Sequence, residues 1–191
     1  MSTSSVEIPA HREFTIEDLA GFPADGNRYE LIEGSLHVSP APNLLHQRVV
    51  AGLVTAFATA CPPGLDVFGS PADVLLGPRT VVQPDLLILV ADDRGRQYVD
   101  TVPLLVVEVL SPSTRLYDLG TKQLAYRNAG VPAYLVVDPM IPAITEYRWT
   151  DDREAARTAT GEERFVIEDP FPLTIVPSEL VKPAGDRRRE P

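Results

Sequence analysis

Hydrophobic and polar positions change period several times along this chain. Leu44 to Ala60 carries Leu45, Val49, Leu53, Val54 and Phe57 on one stripe, so the spacing predicts an amphipathic helix that "CPPG" ends. Before it, "RYELIEGSLHVSP" alternates on both sides of Glu33-Gly34 and predicts two short antiparallel strands joined at that turn. "TIEDLAGF" opens a short helix, with Thr15 as N-cap and Asp18 three residues on, a capping-box spacing.

Further on, strand candidates lie at Leu65 to Phe68 and Ala72 to Leu76. Three nearly unbroken apolar runs then read as buried strands: Asp85 to Val90, Leu104 to Leu110, and "PAYLVVDP". Between the last two, "SPSTRLYDLGTKQLAYRNAG" predicts a helix, with Ser/Thr caps before it and Gly130 after it. "AITEYRW", "ERFVIED" and "LTIV" read as edge or peripheral strands, placing extra strands at the C-terminal end. This order predicts an α/β (α+β) fold with a mixed sheet and helices on its faces. A single domain is expected over 14–180, between a disordered leader at 1–13 and a disordered tail at 181–191. The arginines of "GDRRREP" read as a solvated tail rather than an anion site.

Composition narrows the function classes. The 191 residues suffice for one well-buried core. No apolar stretch approaches the roughly 20 residues that span a bilayer, and the start lacks the basic and apolar segments of a signal peptide. The expected location is cytoplasmic, with no membrane partner. A single cysteine, Cys61, excludes an internal disulfide, and His11, His37 and His46 have no zinc-site spacing. The net charge of -10 repels phosphate polyanions at long range. A nucleic-acid partner would therefore need a local basic patch or a bound metal.

The candidate chemistry sits in two of the buried runs. Asp85 opens "DLLILV", and Glu108 is the one charge of Leu104 to Leu110. If these strands pair antiparallel with Asp85 opposite Glu108, paired residue numbers add to 193 and Val90 meets Pro103. Proline suits such a strand end, because it has no ladder donor to give. Two adjacent carboxylates in an apolar setting repel and lose hydration. A divalent metal would neutralise both, whereas a buried Arg or Lys, or access to solvent, would suffice for Glu108 alone. Lys122 and Tyr126 share a face of the next helix. Lys122 has the length to reach the carboxylates, and Arg115 at the helix start could contact phosphate. On spacing alone, an Asp118–Lys122 surface pair, a core-edge Tyr126, a capping His46 and a turn Glu33 remain the plainer readings.

"YELIEG", "HQRVV", "QPDLLIL" and "VVEVLSPSTRLYDLGTKQLAYRNAGVPAYLVVDP" resemble the Uma-two family of restriction-endonuclease-like proteins, within the PD-(D/E)xK nuclease superfamily. The likeness runs from about Phe14 to Val176. It implies a restriction-endonuclease-like fold, with a central mixed β-sheet flanked by helices, and hydrolysis of DNA phosphodiester bonds by a water that Mg²⁺ (or Mn²⁺) activates. Pro84-Asp85 matches the PD element and Glu108 the following acidic residue. Leu110 stands where the superfamily has lysine, and the resemblance implies that Lys122 substitutes for it. It also implies metal ligation by Asp85, Glu108 and the Val109 carbonyl, with Glu33 as a further ligand, and a lining that includes His46, Gln47 and Tyr126. The missing in-strand lysine and the acidic charge leave open an inactive nuclease-fold module. Coordinated double-strand cleavage would suit a homodimer.

Overall fold

The structure, a computed structural model, describes residues 13–91, 97–150 and 153–186. In chain order its elements are α1 (Ile16–Leu19), β1 (Arg28–Ile32), β2 (Ser35–Ser39), α2 (Leu44–Ala60), β3 (Leu65–Gly69), β4 (Val74–Gly77), β5 (Thr80–Val82), β6 (Leu86–Val90) and β7 (Leu105–Val109). After a π-helical turn at Tyr117–Lys122 come α3 (Gln123–Asn128), β8 (Ala133–Asp138), β9 (Ala143–Thr150), β10 (Arg153–Thr160), β11 (Phe165–Ile167), β12 (Leu173–Ile175) and α4 (Pro177–Val181).

Six strands form the central sheet in the order β10-β9-β8-β7-β6-β3. Only the β7–β8 pair is parallel, so the sheet is mixed as expected. Both of its faces are covered, which is why its strands read as continuous apolar runs rather than alternating ones. Leu86, Ile88, Leu105 and Val107 pack with Val49, Leu53 and Phe57 of α2. Leu87, Leu89 and Val106 point the other way, into a second core with Ile32, Val82 and Tyr126. That second core lies under a smaller sheet, ordered β2-β1-β5-β4.

The small sheet begins with the expected hairpin. Ile32 faces Ser35, leaving a two-residue loop in which Glu33 (φ 52°) and Gly34 (φ 78°) are both left-handed. That is the loop geometry whose twist matches paired strands. A side chain at Gly34 would also press on Glu13 and on the Phe14 carbonyl. Ahead of it, the Thr15 amide donates to Asp18 Oδ2 at 2.8 Å, the reciprocal half of the capping box.

β6 and β7 pair antiparallel as Leu86–Val107, Leu87–Val106 and Ile88–Leu105, each summing to the expected 193. The ladder is shorter than expected, because Val90 pairs with Leu65 of β3 instead of facing Pro103. Other expectations need correction. β9 is not peripheral, since β10 lies outside it as the edge strand. The sequence "REAARTAT" gave no strand signal, being poor in β-branched and aromatic residues; pairing with β9 along its whole length makes it a strand. The helix after β7 is not uniformly α-helical but contains the π turn. Order continues beyond 180, through α4 to a 3₁₀ turn at Ala184–Asp186. The remaining tail and most of the leader lie outside the described residues. Among the described residues no helix is long and apolar enough to cross a membrane.

Candidate active site

The second core ends in a patch of buried charge. Glu30, Asp85, Glu108, Asp118 and Lys122 are each no more than 2% exposed. Glu30 comes from β1, Asp85 from just before β6, Glu108 from β7, and Asp118 and Lys122 from the π turn. The two sheets and the helix therefore each contribute to one site.

Lys122 is its centre. Nζ lies 2.8 Å from Glu30 Oε1, 2.9 Å from Glu108 Oε1 and 3.8 Å from Asp118 Oδ1. The Tyr126 hydroxyl donates to the same Glu108 Oε1 at 2.7 Å. Asp118, Lys122 and Tyr126 are spaced by four. Such a series drifts around an α-helix of 3.6 residues per turn, while the wider π turn, bonded from i to i+5, drifts the other way. A π turn running into α3 keeps all three on the buried face.

Asp85 is held differently. Its Oδ1 accepts from Arg28 Nη2 at 3.1 Å. Its Oδ2 accepts from the Val109 amide at 2.8 Å and from His46 Nε2 at 3.1 Å. The amide bond ties Asp85 to the residue after Glu108, so the strand register itself aligns the carboxylates. His46 is positioned by the start of α2, where its amide is capped by Asn43 Oδ1 at 2.9 Å. Its second ring nitrogen, Nδ1, is buried and has no hydrogen-bond partner among the described residues.

These surroundings separate the carboxylates. Burial alone would raise Asp85, but His46, Arg28 and the Val109 amide bring it down to about 2. Glu108 moves the other way: burial lifts it to about 8 against the pull of Lys122, and Asp85, Asp118 and Glu30 add repulsion. Asp118 rises to about 6, again through burial. Burial opposes the charges of Lys122 and Arg28, yet the surrounding carboxylates hold both firmly protonated.

A cleft of about 190 Å³ opens on this set, lined by Arg28, Glu30, His46, Asp85, Glu108 and Lys122 among others. Asp85, Glu108, Lys122 and His46 thus come together, with Tyr126 behind Glu108. Val109 lines the cleft. Gln47 is exposed and lines an adjoining recess that shares Arg28, His46 and Asp85. Arg115 turns away and pairs with Asp138 at 2.5 Å. Glu33 is also outside the site. As a hairpin turn residue its side chain is 78% exposed, facing Arg79 and hydrogen-bonded by Thr80. The acidic residue that β1 does deliver is Glu30.

Sequence reading missed Glu30, Arg28 and the buried state of Asp118. In "RYELI" the charges at 28 and 30 alternate with Tyr29 and Leu31, which reads as a solvent face. The face is instead turned onto the cleft, with Arg28 and Glu30 on the same side at strand spacing.

The described residues contain no ready group of three or more His, Cys, Asp or Glu side chains for a metal. They do contain a charge imbalance. The four carboxyl groups of Glu30, Asp85, Glu108 and Asp118 face two permanent cations, Arg28 and Lys122, an excess of two negative charges once all four are ionised, which the burial of Glu108 opposes.

A mixed sheet that aligns an aspartate and a glutamate from paired strands, with a lysine between flanking elements, places the protein among restriction-endonuclease-like folds. The chain belongs to the Uma2 family, described as "Putative restriction endonuclease", whose model matches residues 16–178. A crystal structure from Anabaena variabilis ATCC 29413, described as a "putative nuclease belonging to DUF820", shares the fold with a TM-score of 0.72 and 17% identity. The match covers 88% of this chain and 97% of that one. Comparison with curated protein sequences gave no match.

Proposed function

We propose that this protein is a nuclease that hydrolyses DNA phosphodiester bonds and depends on Mg²⁺ or Mn²⁺. The observation that carries the reading is a cleft on which four buried carboxyl groups converge with only two permanent cations among the described residues, so that full ionisation calls for a further cation. Surplus carboxylates in an apolar setting are costly unless a cation joins them. Hard oxygen donors with one or two carboxylates suit Mg²⁺, which keeps several waters. Asp85 and Glu108, with the Val109 carbonyl, would hold it.

When bound, the cation would supply a water of lowered pKa and neutralise charge growing on the phosphoryl group. The protein's own groups do the rest. The Val109 amide and His46 fix the orientation of Asp85. Tyr126 fixes Glu108. Lys122, kept charged by its carboxylates, can orient water and stabilise negative charge developing on phosphate oxygens. Glu30 and Asp118 hold the ammonium in place. Family membership supports nuclease chemistry, and its description as a restriction endonuclease supports DNA as substrate.

Incubation of supercoiled plasmid with Mn²⁺ tests the reading. Wild type should nick it, while Asp85→Ala and Glu108→Gln should not. Equal nicking by all three would remove these residues from the chemistry. One observation favours an inactive module that binds a partner: both Asp85 oxygens already have protein donors. On that reading the plasmid stays supercoiled with every variant.

A further inference from the structure

We propose that Arg28 is the resident counter-ion of Asp85, and that a divalent cation binds by displacing it. The inference rests on the metal-dependent reading above and deepens it by naming what guards the site. Of the two Asp85 oxygens, Oδ2 already accepts the Val109 amide and His46. Among the described residues Oδ1 accepts only from the Arg28 guanidinium, at 3.1 Å, and so is the oxygen left for another cation. Arg28 lines the cleft itself. Two cations converging on one carboxylate oxygen repel, strongly so in a site with little water.

Arginine cannot relieve this repulsion by losing its proton, so it has to move. The structure provides somewhere for it to go. Nη1 donates to the Gln83 carbonyl at 2.9 Å, and Nη2 also donates to Ser70 Oγ at 3.1 Å. Both anchors line the adjoining recess of about 260 Å³, on which Arg28 also borders. A small rotation toward Ser70 and Gln83 releases Asp85 while the guanidinium keeps hydrogen-bonded partners. In that position it remains at the edge of the cleft, able to meet a phosphate oxygen. Lys122 does not play this part, because its three carboxylates enclose it and it makes no contact with Asp85 among the described ion pairs.

A purely structural ion pair and a displaceable counter-ion give opposite results. Mn²⁺ is titrated calorimetrically at pH 8 into wild type, Arg28→Gln, Arg28→Lys and Glu108→Gln, each checked for folding by circular dichroism. A displaceable counter-ion predicts at least tenfold tighter Mn²⁺ binding by Arg28→Gln than by wild type. Arg28→Lys, which keeps the charge without the three-way fork, should fall between them. Equal or weaker binding by Arg28→Gln, with wild type binding and Glu108→Gln not, overturns the counter-ion role and leaves the metal site standing. Absence of binding by both wild type and Arg28→Gln overturns both. A readout on wild type removes dependence on the variants folding. With ¹⁵N-labelled arginine, the Arg28 side-chain resonance should shift as Mg²⁺ saturates the protein. An unmoved resonance at saturation overturns the proposal.

Discussion

Lys122 Nζ lies 2.9 Å from Glu108 Oε1, reaching a strand residue from the helix that follows the strand. Leu110, two residues beyond Glu108, is buried in the second core. The ammonium beside Glu108 is thus delivered by the helix and not by the strand. It is also the main cation holding Glu30, Glu108 and Asp118 together, which makes its removal the sharpest test of the site.

Lys122→Met should destabilise the protein by about 3–5 kcal/mol, the cost of leaving buried carboxylates without their partner. Urea unfolding at pH 8 measures it. The loss should shrink toward pH 5, where Glu108 and Asp118 bind protons in the folded state. A loss that does not change with pH would mean that the carboxylates are not the cause.

Glu108→Gln should have opposite consequences for stability and function. The folded-state value of about 8 lies above the ordinary glutamate value of 4.5. The folded state therefore binds the proton more tightly, and Glu108 contributes stability that is complete below about pH 4.5 and is lost as pH rises through about 8. Without added metal, the variant should melt above wild type at pH 8 and lose that advantage near pH 5. Scanning calorimetry at the two pH values checks the crossover, while Mn²⁺ binding should be lost at both.

Asp85 has the reverse dependence. Its folded value of about 2 lies below the ordinary aspartate value of 3.8, so its contribution is present above about pH 4 and is lost as pH falls through about 2. Asp85→Asn should cost about 2 kcal/mol at pH 7 by this linkage and flatten the acid limb of the stability profile. Acid titration followed by circular dichroism would show it. An unchanged acid limb would rule out the charge-stabilised state of Asp85.

Glu30 and Glu33, three residues apart, should differ sharply. Glu30→Gln removes a direct partner of Lys122 and should lower Mn²⁺-dependent nicking by about 10–100-fold, as for other groups that orient a metal site. Glu33→Gln alters an exposed turn side chain and should leave the rate within about twofold, as surface changes do. Parallel plasmid assays compare them, and equal losses would contradict the separation of roles seen in the hairpin.

Much of the large sheet was legible because its strands are covered on both faces. Lone charges at opposite ends of "DLLILV" and "LLVVEV" fixed the β6–β7 pairing, and the pairs observed keep that register. Asp85 and Glu108 came together through that register, whereas Lys122 entered through the family resemblance, since its spacing alone favoured a surface pair with Asp118. The small sheet was less legible. Whether the Arg28–Glu30 face meets solvent or another sheet depends on a partner far away in sequence, and local alternation cannot tell the two apart. The resemblance pointed to Glu33 in that hairpin, whose side chain lies exposed on the turn, while Glu30 is the carboxylate that faces Lys122. The π turn left no mark either, since Asp118, Lys122 and Tyr126 have the same spacing in any helix.

The charged set also acts as a clasp. Glu30 and Arg28 belong to the small sheet, while Asp85, Glu108 and Lys122 belong to the large sheet and its helix, and their bonds cross the seam between the two layers. Lifting the hairpin would therefore do more than expose a cleft. It would strip Lys122 of one carboxylate and Asp85 of its guanidinium in the same movement, so the readiness of the site is coupled to how firmly one layer stays shut against the other.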